Sequence, residues 1–212
     1  MRTPVIDLFR PFLWLFARAY FGIRLEGRHH VPLQGPLIIA SNHVSYADPV
    51  FVCVAIRRPV HYLAWSRLFE VPGFGWLIRR LRAFPVETES ADPRAARKAV
   101  RLLRAGAALM VFPEGGRTQD GRLQPFKLGA FRLACSLHVP VLPVTILGGH
   151  EAWPPHRRFP RPGRITVVYH PLLTTQRSGD LRTASQELAR QARAAIVSQL
   201  PFHQRPVEAE AG

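Results

Sequence analysis

The most constraining feature of the sequence is a pair of short apolar runs, each followed at once by a polar cluster. The first run, residues 37–40, follows Gly35-Pro36 and leads into residues 41–49, SNHVSYADP. The second, residues 107–111, leads into residues 112–118, FPEGGRT. Short apolar runs of this kind between turn signals are typical of buried strands. Because open α/β sheets build their sites where strands end, the two clusters predict one shared site at a sheet edge.

The first cluster carries the parts of a general base. His43 leaves the end of the predicted strand, and Asp48 follows five residues later. An imidazole accepts a proton near neutral pH, and a carboxylate beside it can hold one tautomer and stabilise the imidazolium. Asn42 and Ser45 supply polar groups that can brace the loop. Asp48, with a proline after it, is also typical of a helix N-cap, so a capped turn carrying a surface histidine would fit the same residues.

The two clusters resemble sequence blocks of a known family. Residues 42–48, Asn-His-x-Ser-x-x-Asp, and residues 112–117, Phe-Pro-Glu-Gly-x-Arg, are similar to the first and third blocks of the glycerolipid acyltransferases. The best-known members are the 1-acylglycerol-3-phosphate acyltransferases. The resemblance runs from about residue 22 to residue 171. It implies transfer of a fatty acyl group from acyl-CoA or acyl carrier protein to a lysophospholipid hydroxyl, with phosphatidic acid as the expected product.

The resemblance also implies roles for individual residues. His43 would deprotonate the acceptor hydroxyl with Asp48 orienting it, so that no acyl-enzyme forms. Arg117 would bind the acceptor phosphate, for which a guanidinium is suited. Glu114 would position Arg117 or a glycerol hydroxyl. The other residues expected to bind substrate are Asn42, Ser45, Gly115, Gly116 and Lys127. The glycine N–H groups could serve the phosphate or the oxyanion, and the oxyanion donors stay unassigned.

The second block of the family departs from its usual pattern. Its proline and glycine fall at Pro72 and Gly75, but Thr88 stands where an acceptor-binding arginine is expected. A threonine cannot form a charge-assisted fork with a phosphate. Thr88, together with Gly116, therefore leaves open a different acceptor, such as a lyso-aminolipid. The candidates to replace the missing arginine are Arg79, Arg80 and Arg82.

The charge of the chain predicts an anionic partner. Its 212 residues carry a formal net charge of +15, and all but two of the 29 basic residues are arginine. Nucleic acid, an anionic membrane or a phosphorylated substrate would each suit this excess. No nucleic-acid motif is present, so nucleic acid is not expected, although a non-enzymatic basic binder stays open. Cys53 and Cys135 lie in apolar helical stretches as core thiols, and no cluster has zinc spacing, so no metal is expected.

The amino-terminal stretch is the most hydrophobic part of the chain. Residues 4–23 are interrupted by Asp7, Arg10, Pro11 and Arg18, which argues against a spanning helix. Aromatic residues interleaved with arginine predict an amphipathic helix in the membrane interface, and a helix packed on the domain is the alternative. Arginines at helical spacing over 94–104 would form a solvated face or meet anionic lipid.

The order of predicted elements favours an α/β fold. Strands and helices alternate, which predicts a mixed, largely parallel central sheet with helices on both faces. We predict a membrane-interface segment at 1–23, an acyltransferase domain at 24–200 and a frayed tail at 201–212. The thioester is a co-substrate, and no cofactor is expected. The predicted location is the cytoplasmic face of the cell membrane, with peripheral or monotopic attachment.

Overall fold

A computed structural model describes residues 4–87, 92–175 and 180–206, with residues 4–10 and 13 as backbone only. The described chain forms one seven-stranded sheet in the order β1-β7-β6-β2-β5-β3-β4. The strands are β1 Arg24–Glu26, β2 Leu37–Ser41, β3 Val60–Trp65, β4 Ala83–Val86, β5 Ala108–Val111, β6 Val141–Leu147 and β7 Thr166–Tyr169. The helices are α1 Pro4–Phe21, α2 Asp48–Cys53, α3 Phe74–Arg80, α4 Pro93–Arg104, α5 Gly129–Leu137, α6 Gly149–Ala152 and α7 Leu181–Gln199.

The sheet is mixed and largely parallel, as predicted. Strands β2 to β6 share one direction, whereas β7 pairs antiparallel with β6 and parallel with β1. The carboxyl ends of β2, β5 and β6 therefore meet at one edge of the sheet. The loops after β2 and β5 carry the two polar clusters of the sequence, so the fold brings these clusters side by side.

Helices cover both faces of the sheet, which confirms the prediction. The alternation of strand side chains divides β2 between two cores: Leu37 and Ile39 face α1 and α2, while Ile38 and Ala40 face α4, α5 and α7. All five residues of β2 are buried. A strand buried on both faces reads as a continuous apolar run, which is why β2 is recognisable in the sequence.

Helix α1 both packs on the domain and exposes apolar side chains. Ala17 and Phe21 are buried, and the Phe21 ring meets Phe51 edge-on at 5.0 Å. Phe12 and Phe16, on the amino-terminal side of these two residues, are largely exposed. No helix among the described residues is long and apolar enough to cross a membrane. The interfacial role of α1 stays a prediction.

Helix α4 is amphipathic, with the arginines of 94–104 on its exposed face. The side chain of Asp92 caps it by accepting hydrogen bonds from two backbone N–H groups. Ala95, Ala99 and Leu103 are buried against the sheet, and Ala96 is exposed. The arginines of the opposite face are all exposed: Arg94, Arg97, Arg101 and Arg104.

The carboxyl-terminal tail is partly held by the domain. Within the predicted tail 201–212, Gln204 is buried, and its amide donates to Glu151 at 2.7 Å. Its backbone oxygen accepts from the N–H of Leu123 at 3.0 Å. Residues 207–212 lie outside the described residues. The division of the chain at residues 23 and 200 stays a prediction.

Candidate active site

The loop after β2 holds a histidine–carboxylate pair. His43 Nδ1 lies 2.8 Å from Asp48 Oδ2, and Asp48 is fully buried. Because a carboxylate accepts the hydrogen bond, Nδ1 carries the proton and Nε2 is left as the proton acceptor. The same carboxylate oxygen also accepts from the backbone N–H groups of Val44 and Ser45 at 2.7 and 2.8 Å. The pair is therefore fixed by the turn that carries it.

Asp48 does not cap the following helix, contrary to one sequence prediction. Helix α2 begins at Asp48 itself, and its N-cap is Ala47, without a side-chain hydrogen bond. The carboxylate instead turns back into the loop, where Ser45 Oγ donates to Oδ1 at 2.5 Å. The local turn captures this side chain because it offers several donors at once.

The loop after β5 contacts the loop after β2 through Phe112 and Glu114. The Phe112 ring stacks on the His43 imidazole, with centroids 3.8 Å apart and planes inclined by 14°. Glu114 Oε1 accepts from the backbone N–H of His43 at 2.6 Å, and Oε2 accepts from the N–H of Gln124 at 2.8 Å. Glu114 thus positions the backbone of His43, rather than Arg117 as one prediction proposed.

The Glu114 carboxyl is held in an environment that disfavours its charge. Burial raises its pKa from 4.5 to about 7, against the opposing effect of the two backbone N–H donors. The negative charge of Asp48 raises the pKa further, and the positive charge of Arg193 lowers it. Glu114 therefore titrates close to neutral pH within hydrogen-bond distance of the His43 backbone.

The two glycines of the second cluster differ in environment. Gly115 has φ +80°, and a Cβ there would lie 2.6 Å from Cε and Nζ of Lys127. Its N–H donates to the Phe112 carbonyl oxygen at 3.0 Å. Gly116 is exposed, with no atom within 4 Å of a Cβ built on it. Lys127 therefore reaches the same loop as Arg117, and its backbone N–H is anchored to Pro113.

The Arg117 guanidinium packs on an aromatic ring that is itself in contact with a second one. The guanidinium lies 3.6 Å from the centroid of Tyr46, and the Tyr46 ring in turn lies 5.4 Å from that of Trp153. Tyr46 Oη donates to the Pro155 carbonyl oxygen at 3.3 Å. Nη1 of Arg117 is buried and has no hydrogen-bond partner among the described residues. A buried guanidinium N–H of this kind is costly unless an acceptor bonds to it.

Asn42 and Ser45 are bonded inside the fold. The Asn42 amide donates to the Ile146 carbonyl oxygen at 3.0 Å and accepts from the Ile146 N–H at 2.8 Å. Both side chains are buried, and Ser45 Oγ is engaged with Asp48. These contacts fit the bracing role predicted for the two residues; direct substrate contact by either stays a prediction.

The site contains residues that the motif analysis did not assign. The contact between Tyr46 and Arg117 and the hydrogen bonds between Asn42 and Ile146 join segments far apart in the sequence, whereas Gln124 lies ten residues after Glu114. Tyr46 and Phe112 lie inside the first and second motif, so their aromatic rings are the signals that sequence analysis could have used. No set of three or more His, Cys, Asp or Glu side chains in the described ranges could hold a metal ion.

The candidates for the missing arginine of the second block lie on or beside α3. The guanidinium of Arg79 lies over the Phe69 ring, and that of Arg80 lies over the Trp76 ring. Arg82 has φ +70° and its charge helps to lower the pKa of His61, after the larger effect of burial. Thr88 lies outside the described residues, so a phosphate role for these arginines stays a prediction.

Comparison with known proteins gives a consistent result. The family described as Acyltransferase matches residues 22–147, more than half of the chain. The 1-acyl-sn-glycerol-3-phosphate acyltransferase of Pseudomonas aeruginosa is 31% identical over 79% of this chain and 65% of its own length. The chloroplastic enzyme LPAT1 of Arabidopsis thaliana is 29% identical over 79% of this chain and 51% of its own.

A solved structure shares the fold. The crystal structure of the 1-acyl-sn-glycerophosphate acyltransferase PlsC from Thermotoga maritima superposes with a TM-score of 0.74 at 25% identity. The match covers 92% of this chain and 80% of that one. The chain spans about half the length of the first curated relatives that it matches. On the family match, which includes both polar clusters, the chain belongs to the Acyltransferase family.

Proposed function

We propose that the chain transfers a fatty acyl group from an acyl thioester to the free hydroxyl of a lysophospholipid, with 1-acylglycerol-3-phosphate as acceptor and phosphatidic acid as product. The observation that carries the proposal is the fixed His43–Asp48 pair, joined through Glu114 to the loop that holds Arg117. The names of the matching relatives favour the same acceptor.

The proposed reaction needs a proton acceptor at the attacking oxygen. Nε2 of His43 takes the proton of the acceptor hydroxyl as its oxygen attacks the thioester carbonyl carbon. The tetrahedral intermediate then expels the thiolate, which takes the proton back from the imidazolium. General-base help of this kind contributes about 10²–10⁴-fold. Asp48 stabilises the imidazolium and keeps Nε2 as the acceptor.

Stabilisation of the oxyanion is proposed to involve a backbone N–H group. The N–H of Gly115 is already bonded to Phe112, whereas that of Gly116 has no partner in the part of the chain that the structure describes. Gly116 is therefore the better candidate of the two, for the oxyanion or for a phosphate oxygen. Removing a single oxyanion donor typically costs about 10²–10³-fold in kcat.

The acceptor phosphate is proposed to bind at Arg117. Its orphaned Nη1 and the nearby Lys127 supply positive charge, and a guanidinium matches phosphate geometry with two parallel hydrogen bonds. Tyr46 holds the guanidinium plane by a cation–π contact. Glu114 contributes indirectly, through the backbone of His43.

A covalent mechanism finds little support in the serines near His43. Ser45 Oγ donates to Asp48, and Ser41 Oγ donates to the Asn42 carbonyl oxygen at 3.2 Å. Both serines are buried. Direct transfer therefore predicts that the protein, given thioester alone, accumulates no acyl-enzyme; a stoichiometric acyl adduct on intact-protein mass spectrometry would contradict it.

The proposed setting is the cytoplasmic face of the cell membrane, with peripheral or monotopic attachment through α1. The exposed Phe12, Leu15 and Phe16 suit the interface, and the net charge of +15 suits an anionic surface. The proposed acyl donor is acyl-CoA or acyl carrier protein, with no further cofactor.

An acceptor panel assayed with one thioester donor tests the proposed function. The panel holds 1-acylglycerol-3-phosphate, a lyso-aminolipid and a monoacylglycerol without phosphate. We expect the phosphate acceptor to give the highest kcat/KM. Preference for the lyso-aminolipid would instead favour the alternative acceptor that Thr88 and Gly116 suggest. No turnover of any lysolipid would leave a non-enzymatic basic binder.

A further inference from the structure

Residues 65–80, here called the aromatic lobe, expose an unusual amount of apolar surface. The lobe comprises Trp65, a 3₁₀ helix at Ser66–Phe69, a turn and α3. Within α3, only Gly75 and Ile78 are buried. The large apolar side chains that the lobe exposes are Trp65, Val71, Phe74, Trp76 and Leu77, with Trp76 62% exposed. Large exposed apolar surfaces often mark contact sites on soluble domains.

Arginines are interleaved with the aromatic rings of the lobe. The guanidinium of Arg67 lies 5.2 Å from the Trp65 ring centroid, and that of Arg80 lies 5.0 Å from the Trp76 centroid. Arg79 makes the same contact with Phe69 at 4.8 Å. Glu70 is the single acidic residue of this segment. The lobe thus combines apolar rings with net positive charge, which suits a partner that is apolar beneath an anionic surface.

The lobe is a preformed platform. A Cβ on Gly75 would lie 2.3 Å from the Phe69 carbonyl oxygen, so α3 packs tightly on the 3₁₀ helix only because residue 75 is glycine. The N–H of Gly75 donates to the Val71 carbonyl oxygen at 2.9 Å. Because these contacts fix the backbone, little ordering of the chain is needed when the exposed side chains meet a partner.

The lobe starts at the edge of the sheet that carries the candidate active site. Strand β3 runs parallel to β5 and ends at Trp65, and the loop after β5 carries Glu114 and Arg117. Trp65 and the following 3₁₀ helix therefore lie on the side of the domain from which a lipid acceptor would approach.

We propose that the aromatic lobe docks on an anionic lipid surface and forms a membrane contact separate from α1. The proposal rests on the proposed membrane setting of the enzyme but not on which head group is acylated. Indole and phenyl rings settle at the depth of the lipid head groups, and arginines beside them meet the lipid phosphates. A second copy of the chain would also cover apolar surface, but two net-positive lobes would repel each other.

Vesicle binding of matched variants tests this proposal. The test variant is the double substitution Val71→Ser, Leu77→Ser, because both side chains are exposed and their loss leaves the core and the arginine–ring contacts intact. The control is Phe202→Ser, since Phe202 is 88% exposed but lies outside the lobe and α1. Binding is measured by co-sedimentation with phosphatidylcholine vesicles that contain or lack phosphatidylglycerol, at low and high salt.

We expect the double variant to bind phosphatidylglycerol vesicles at least about tenfold more weakly, since each apolar side chain loses its burial. The control should bind as the wild type does, and high salt should weaken wild-type binding. Equal binding by the double variant and the wild type would overturn the proposal. So would unchanged vesicle binding with a shift from dimer to monomer on gel filtration, which would assign the lobe to self-association.

An activity measurement separates this proposal from the proposed function. In detergent micelles, where no bilayer is needed, the double variant should acylate 1-acylglycerol-3-phosphate at the wild-type rate, and on vesicles it should be slower. A wild type inactive in micelles would refute the proposed function but leave the binding result to stand. A double variant equally impaired in both settings would contradict the docking role.

Discussion

Replacing Asp48 by asparagine isolates the charge of the histidine–carboxylate pair. The amide has nearly the same volume, and its oxygen can take the place of Oδ2, which accepts from His43 and two backbone N–H groups. Its NH₂ then faces Ser45 Oγ, which can accept as well as donate a hydrogen bond. The turn is kept, and the negative charge beside the imidazole is lost.

The size of the effect follows from the geometry of the pair. With charge centres about 4 Å apart and an effective dielectric constant of about 20, the carboxylate stabilises an imidazolium by at most about 4 kcal/mol. Because each 1.36 kcal/mol is about tenfold in rate, we expect Asp48→Asn to lower kcat by about 10²–10³-fold. The retained hydrogen bonds should limit the loss of unfolding free energy to about 2 kcal/mol.

The assay is the initial rate of thiol release with saturating 1-acylglycerol-3-phosphate, together with the midpoint of thermal unfolding. Ser45→Ala is the matched control, since it removes one hydrogen bond to Asp48 and leaves the charge. We expect that control to stay within about tenfold of the wild type, the effect of about 1.4 kcal/mol. An Asp48→Asn variant that is folded and as active as Ser45→Ala would refute the assignment of Asp48.

The remaining predictions concern the phosphate site, the two glycines of the second cluster and Glu114. Arg117→Gln should lower kcat/KM for 1-acylglycerol-3-phosphate by about 10–100-fold, the worth of a charged hydrogen bond, and change turnover of monoacylglycerol little; an equal loss for both acceptors would exclude phosphate binding. Gly115→Ala should lower the unfolding midpoint because of its positive φ and the contact with Lys127, whereas Gly116→Ala should leave it unchanged; equal midpoints would be the contrary result. Burial holds the pKa of Glu114 at about 7, so the folded state binds this proton more tightly than the unfolded state. Unfolding free energy should therefore fall by about 3 kcal/mol as pH rises from about 4.5 to 7, and Glu114→Gln should lack this decline in urea titrations.

The strands around the site could be predicted because their sequence signals are local. The apolar run at β2 is buried on both faces, and the pairing of His43 with Asp48 spans only five residues. The position of the β5 loop beside the β2 loop followed from the general behaviour of parallel sheets.

The role of Asp48 at the helix start could not be decided from local preference. An aspartate before proline is typical of an N-cap, but here the turn at residues 43–45 offers the carboxylate more donors than the helix does. The competing arrangement wins because it satisfies the buried charge. An Asp48 that caps the helix and an Asp48 that turns back into the loop have the same sequence pattern, so the pattern could not distinguish the two arrangements.

Contacts between segments that are distant in the sequence could not be predicted from it. The hydrogen bond between Asn42 and Ile146 joins residues 104 positions apart. The contact of Tyr46 with Arg117 depends on how two loops fold at one edge of the sheet. Motif spacing identifies the residues of such a site but does not predict which of them contact each other. For that reason the motif predicts that Glu114 positions Arg117 or a glycerol hydroxyl, whereas its carboxylate accepts a hydrogen bond from the backbone N–H of His43.

The imidazole of His43 is proposed as the base for acyl transfer. The most direct measurement is the rate of acyl transfer from acyl-CoA to 1-acylglycerol-3-phosphate by His43→Asn, whose amide can keep the hydrogen bond to Asp48 but cannot accept the proton. We expect a loss of about 10²–10⁴-fold in rate, with only a small fall in the unfolding midpoint, because the variant also loses the ring stack on Phe112. Activity within about tenfold of the wild type, in a folded variant, would contradict the account.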